Sequence, residues 1–305
     1  MSASSSGPLV PIPKTVEVGG QKFPVHLPFY YASLSNIWVY YRVDPKRLEP
    51  FLADSGLKPA LFEGQGAVAI NFQTYTGHNG NSLSTCNEVE FDIACYPASL
   101  EASSPSIPLS EFVRGMDATK TIGLFRVYVP ADNAFAVAAG IAFFGESKFL
   151  AGFEYNVPAL NNPGRGTFEY SVYDTLLDPA RPLSKADAKK HRIYTQKVDL
   201  RSYAATPVNA TPLTLYSMLP GGPFVPASNK GSRLIGSRWT IFSMYEAYFP
   251  DSQSANKNIG ISWGSSDHPM NQGMRKILGR TPGPAAAVLI SNSPPAAAEP
   301  RAYYV

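Results

Sequence analysis

Leu124-Phe125-Arg126-Val127-Tyr128-Val129 runs through Pro130-Ala131-Asp132-Asn133 into Ala134-Phe135-Ala136-Val137-Ala138-Ala139-Gly140-Ile141-Ala142-Phe143-Phe144-Gly145-Glu146-Ser147-Lys148-Phe149-Leu150. The first six residues have the aromatic and β-branched character of a strand, and Pro130 marks its end. Asp132 is placed to cap a helix. The alanine-rich run from Ala134 to Phe144 suits the helix body, although Gly140 costs about 1 kcal/mol there relative to alanine. Gly145 stops it. Lys148 then falls on the exit segment, among Phe143, Phe144, Phe149 and Leu150. A lysine in water is protonated and a poor nucleophile. Taking an amine out of water disfavours its charged form, and a neutral amine can attack a carbonyl and form an imine.

Strand signals dominate on both sides of this segment. Asn36 to Val43 is aromatic and β-branched and ends at Asp44-Pro45, where Asp44 can cap a short helix whose first turn accepts Pro45. Leu48, Phe51 and Leu52 give that helix one apolar face, Pro50 keeps it short, and Gly56 ends it. Ala67 to Phe72 reads as a strand. Asn87 to Tyr96 alternates, with Val89, Phe91, Ile93 and Cys95 on one face and Glu88, Glu90 and Asp92 on the other. Thr167 to Tyr173, Ile193 to Leu200, Leu213 to Leu219 and Arg238 to Phe249 are further strands. Ser184-Lys185-Ala186-Asp187 resembles a capping box before a short polar helix. Many strands with few helices predict a β-rich α+β fold, antiparallel sheets or a barrel around a central pocket. The expected organisation is a flexible arm over residues 1–20, one domain over 21–292, and a low-complexity tail over 293–305.

Charged residues make up only 16% of the 305 residues and aromatics 12%, which favours extensive buried or pocket-lining surface. The net charge of +3 is dispersed, and the densest basic run, Lys185 to Arg192, reads as an exposed helix face, so no nucleic-acid partner is expected. No run of about 18 apolar residues predicts a membrane span, and no signal peptide is evident. Cys86 and Cys95 read as free thiols of a reducing compartment; a cytoplasmic location follows, and the Asn209-Ala210-Thr211 sequon is then accidental. His26, His78, His191 and His268 show no metal-ligand spacing, so no metal site is expected. Neither Pro220-Gly221-Gly222-Pro223 nor Gly279 to Gly283 follows the strand–glycine–helix order of a phosphate loop.

In its order of elements the chain resembles the acetoacetate decarboxylase superfamily. The features that carry the resemblance are the strand from Val39 to Asp44, the helix to Leu52, Asn87-Glu88, the strand through Tyr128-Val129, Asp132-Asn133, the apolar helix from Ala136 to Phe144, and Lys148. Leu215 to Pro220, followed by Gly231-Ser232-Arg233-Leu234, matches the family's later strand and basic turn. The resemblance implies an imine-forming role for Lys148, a pocket glutamate at Glu88, no cofactor, a small carbonyl compound as partner, and a homo-oligomer. The chain departs from the pattern in Gly140-Ile141-Ala142 and Ser147-Lys148-Phe149, where the family carries further charged residues. The family's pocket arginine falls near Leu34 and its second acid near Asn71, so a carboxylate-binding arginine and a second acid are expected to be absent.

The implied function is a lyase-type reaction through a Schiff base between Lys148 and a ketone or keto acid: decarboxylation, aldol-type cleavage or condensation, or dehydration. Phe143, Phe144, Phe149 and Leu150 would keep the amine dry, and Glu88 would move protons. The alternatives are a non-covalent cyclase or isomerase, or a binding protein for a hydrophobic small molecule. Lys148 could instead snorkel to solvent, and Glu88 could share a solvated strand face with Glu90 and Asp92. Glu146, two residues before Lys148, could pair with a charged lysine, but it is expected to point to solvent at the helix end.

Overall fold

The fold grows from three long neighbouring strands whose alternation buries both faces. The computed structural model describes residues 15–25, 29–79, 82–116, 121–158, 166–209, 212–220, 231–241, 244–293, 296–298 and 301–304. Most of the arm (residues 1–14), His26, residues 210–211 of the sequon and residues 221–223 of one glycine-rich turn lie outside the described residues.

In chain order, β1 (Thr15–Val18) and β2 (Gln21–Pro24) form a hairpin, and β3 (Phe29–Val43) leads to the short helix α1 (Glu49–Leu52). Next come β4 (Leu57–Pro59), β5 (Gly66–Asn79), β6 (Ser82–Pro97), α2 (Leu109–Val113), β7 (Gly123–Ala131), α3 (Ala134–Phe144) and β8 (Lys148–Leu150). Then follow β9 (Gly152–Asn156), β10 (Thr167–Tyr173), α4 (Lys185–His191), β11 (Arg192–Asp199), β12 (Thr206–Val208), β13 (Leu213–Leu219) and β14 (Arg233–Trp239). The chain closes with β15 (Tyr245–Tyr248), α5 (Ser252–Asn258), β16 (Ile259–Trp263), α6 (Pro269–Leu278), β17 (Ala285–Ser293), β18 (Ala296–Ala298) and β19 (Arg301–Tyr304).

Among the described residues the large sheet runs β12-β15-β17-β3-β5-β6-β7-β13-β14-β19, with β18, β4 and β8 on β3, β6 and β7. This β-rich α+β architecture agrees with the sequence reading in class and differs in two respects. The sheet is mixed, because β7 pairs in parallel with both β13 and β8, and α3 supplies the crossover that a parallel β7–β8 pair requires. It is also open: its hydrogen-bonded path ends at β12 and β19, so no closed barrel forms among the described residues. The stretch from Arg238 to Phe249, read as one strand, is two, because β14 pairs with β13 while β15 pairs with β17 on the opposite flank. The segment read as a tail contributes β18 and β19 to this sheet.

A second sheet, β16-β11-β10-β9, packs on the face that carries Val89, Phe91, Ile93 and Cys95. Phe72 of the large sheet stacks on Tyr170 of the small one at 4.5 Å between centroids, and Met270, Met274 and Ile277 of α6 extend the same core. Each such side chain stabilises the fold by about 1.5–3 kcal/mol on full burial. The first hairpin seats Val16 against Ala139, Phe143 and Phe144 and so covers α3. Cys86 and Cys95 are both buried free thiols. Among the described residues, no helix is long and apolar enough to cross a membrane.

Candidate active site

The opposite face of β6 carries Glu88, Glu90 and Asp92, and all three are buried, Asp92 completely. A solvated face is therefore excluded. β13 and β14 contribute Leu213, Leu215 and Trp239, and α3 contributes Phe135, Ala139 and Phe144, to a cavity of about 80 Å³ that Glu88 and Glu90 also line. Register sets out the floor in rows: Asn36, Gln73 and Glu88 align across β3, β5 and β6, as do Trp38, Asn71 and Glu90. Gln73 Nε2 donates to Glu88 Oε1 at 3.0 Å, and Asn71 Nδ2 donates to Glu90 Oε2 at 3.0 Å.

Arg126 reaches this floor through a β-bulge. Glu88 pairs with Ala131 and Phe91 with Tyr128, yet Asp92 pairs with Arg126, so Val127 is one residue extra on β7. In an unbroken ladder Arg126 and Tyr128 would share a face. The bulge sends Tyr128 into the inter-sheet core and Arg126 into the pocket.

Lys148 arrives from the other side. Asn133, rather than Asp132, caps α3, its side chain accepting from Ala136 N at 3.1 Å. Asp132 instead clamps Asn87 through that residue's backbone N–H at 2.8 Å and its side-chain amide at 2.7 Å, fixing the turn to the strand that bears Glu88. Gly145 ends the helix at φ 62°, a left-handed conformation that favours glycine. A side chain there would also strike the Met218 carbonyl. The turn folds Glu146 inward and lays Lys148 beside Val129 of β7.

The result is a chain of buried charges. Lys148 is 6% exposed; its Nζ donates to Glu88 Oε2 at 2.7 Å and lies 3.2 Å from Glu146 Oε2. Arg126 pairs with both Glu146 and Glu90, and its guanidinium sits 5.3 Å from the centre of the Trp239 ring. Burial pushes the Glu90 carboxyl above its usual range, Arg126 opposing and Glu88 reinforcing the shift. The Tyr31, Tyr75 and Cys86 groups are likewise raised by burial, each with the negative charge of Glu88 adding to it.

Asp92 lies deeper, and neither of its carboxyl oxygens has a hydrogen-bond partner among the described residues. Burial first, then Glu90, holds its pKa well above the carboxylate range, with Arg126 opposing. A carboxyl with a raised folded-state pKa contributes stability that is fully present below its unfolded pKa and is lost as pH rises through the folded value. Asp92→Asn is therefore expected to raise the urea midpoint near pH 8, by about 1–3 kcal/mol in stability, with the gain over wild type fading as pH falls to about 4. A pH-independent difference would contradict this.

The expected site residues divide. Lys148, Glu88, Leu34 and Phe144 line the pocket, and Asn71 stands one layer behind it, bonded to Glu90. Phe143 is buried edge-on against Phe144, 6.2 Å between ring centroids, outside the pocket lining. Phe149 lies on the other side of β8, against the His268 ring at 4.4 Å, and Leu150 is 42% exposed. These three do not line the pocket. Glu146, expected in solvent, is buried between Arg126 and Lys148 because Gly145 turns the chain back under the helix. Further acids, expected to be missing, are present as Glu90 and Glu146 from positions other than 71, and the arginine that lines the pocket, Arg126, is already paired with both of them. The signal available for Arg126 was a lone guanidinium in an otherwise apolar strand.

Gly140 makes room for this arrangement. A Cβ there would strike Glu146 Oε2 and stand 2.5 Å from Lys148 Cδ. Both neighbours are held in ion pairs, so Gly140→Ala is expected to displace the amine, lowering the rate of lysine adduct formation by about 10²-fold. The usual helix gain of about 1 kcal/mol should not appear in the urea midpoint. Wild-type adduct formation would refute this steric role.

The architecture is that of acetoacetate decarboxylase-like solved structures, which align with it over nearly its whole length. Among solved structures, the enduracididine biosynthesis enzyme MppR complexed with pyruvate aligns with a TM-score of 0.56 at 14% identity, over 92% of this chain and 90% of that one. The same enzyme has been solved with the condensation product of pyruvate and imidazole 4-carboxaldehyde. An acetoacetate decarboxylase-like enzyme from Sphingomonas wittichii RW1 aligns with a TM-score of 0.56 at 15% identity, over 94% of this chain and 96% of that one. Acetoacetate decarboxylase from Legionella pneumophila aligns with a TM-score of 0.55 at 11% identity, over 93% and 88%. No protein-family model and no curated protein sequence matches the chain. At these identities the likeness establishes the fold.

Proposed function

We propose that this protein is a lyase-type enzyme in which Lys148 forms a Schiff base with a carbonyl compound. The observation that carries this reading is the amine itself, enclosed at the pocket floor 2.7 Å from Glu88. Passing one proton along that contact turns the ammonium–carboxylate pair into a neutral amine and a carboxylic acid. The amine attacks the carbonyl carbon, and the oxygen departs as water. An ammonium and a carbonyl thus become a protonated imine and water with no change in net charge. The iminium then draws electrons from the neighbouring bond. Glu88 as carboxylate can take the α-proton and return it later. The solved structures of MppR with pyruvate and with a condensation product support the reading by analogy of fold.

The test is reduction with borohydride in the presence of candidate carbonyl compounds, followed by peptide mass analysis. Covalent mass at Lys148 is expected; its absence with every plausible carbonyl counts against the imine. A second reading draws on the ion pairs that Lys148 makes with Glu88 and Glu146: a non-covalent cyclase or isomerase using the same pocket. Full turnover in a chain lacking Lys148 would favour that reading.

A further inference from the structure

We infer that the carbonyl substrate is uncharged and carries an aromatic or similarly flat apolar body, so that the reaction makes or breaks a carbon–carbon bond or eliminates water, without loss of carbon dioxide from a keto acid. This deepens the imine reading of Lys148 and rests on it. The argument begins with the charges. Among the described residues lining the pocket, the cations are Lys148 and Arg126 and the anions are Glu88, Glu90 and Glu146. Lys148 is held by Glu88 and Glu146, and Arg126 by Glu90 and Glu146. Every one of these groups is buried.

Among the described residues, a substrate carboxylate entering here finds no pocket cation that is not already matched, and it meets carboxylates instead. Like charges brought together without water select strongly against such a partner. The covalent step does not change this. The protonated imine keeps the positive charge that the ammonium had, and its carboxylate neighbours keep their partner. Glu88 then removes a proton from the carbon beside the iminium, giving an enamine and a neutral acid. The enamine carbon bonds to a second carbonyl carbon, whose oxygen takes the proton, and water releases the product from Lys148. The reverse sequence cleaves the same bond. Electrons and protons balance without an oxidant or reductant.

The walls point to the body of the substrate. Leu34, Trp38, Phe135, Phe144, Trp239 and Ile241 face the cavity. Phe144 and Trp239 lie 5.2 Å apart between centroids, a tilted pair with aromatic surface to offer a flat ring.

Phenylacetone and phenylpyruvate share one benzyl ketone and differ in a methyl against a carboxylate. Each is reduced with borohydride in the presence of the full-length protein, and the rate of labelling at Lys148 is divided by that of a simple primary amine in solution. Binding without borohydride is followed by tryptophan fluorescence, since Trp38 and Trp239 line the pocket. The expected result is a preference for phenylacetone of at least about tenfold. Equal or greater labelling by phenylpyruvate overturns the inference and leaves the imine standing. If neither compound labels the lysine but phenylacetone binds more tightly, the imine falls and the choice of an uncharged ligand stands. If neither labels, and phenylpyruvate binds as tightly or neither binds, both fall. Glu146→Gln, which returns part of Arg126 to the pocket, is expected to reduce the preference by about tenfold. An unchanged preference in the folded variant overturns the charge argument; if the variant does not fold, the wild-type comparison decides alone.

Discussion

Lys148→Ala is expected to abolish the borohydride-trapped adduct and to lower conversion of any carbonyl substrate by at least about 10³-fold. Under the proposed Schiff-base mechanism this substitution deletes the covalent route, and the remaining pocket offers only orientation and charge. The variant also leaves Glu88 and Glu146 facing each other across the space the ammonium filled. Breaking a buried ion pair from one side costs about 3–5 kcal/mol, so loss of activity must be separated from loss of structure. Lys148→Met fills more of the volume and serves as the control: folded by circular dichroism, silent to borohydride and inactive. A folded Lys148→Met protein with wild-type turnover would end the covalent mechanism.

Arg126→Met is expected to lose about 3–5 kcal/mol of stability near neutral pH. The guanidinium is the shared partner of Glu90 and Glu146 and opposes the shift at Asp92. Without it, the carboxyl of Glu90, already raised by burial, is raised further. A group with a raised folded-state pKa loses its contribution as pH climbs, so the deficit should be greatest near pH 8 and shrink toward about pH 4. Urea midpoints across that range measure it. Adding Glu90→Gln and Glu146→Gln to the variant should restore most of the loss. A deficit under about 1 kcal/mol, flat with pH, would mean that these charges are not coupled in the way the distances imply.

Part of this site is legible in the sequence. The strand–turn–helix–glycine order from Leu124 to Gly145 places Lys148 at the exit of α3, and its relation to Asn87-Glu88 comes only with the resemblance to the acetoacetate decarboxylase superfamily. What local patterning does not carry is the environment. Alternating Glu88, Glu90 and Asp92 is the ordinary signature of a wetted strand face; only the packing of α3, β13 and β14 around that face makes it interior. Glu146 follows a helix end, where solvent is the default, and its inward path depends on the left-handed turn at Gly145 and on a cleft left by Gly140. Helix α6 is not read from the sequence either, although Met270, Met274 and Ile277 share one face of it. The glycine and proline flanks around it read more readily as loop.

The extra residue at Val127 bears on how this chain compares with others. Every position of β7 before it is shifted by one with respect to a sequence that runs through the same strand unbroken. A gapless match there sets Arg126 against an inward-packing hydrophobic neighbour and hides the guanidinium. Against a chain without the bulge, Arg126 comes into register only with a one-residue insertion in the middle of the strand.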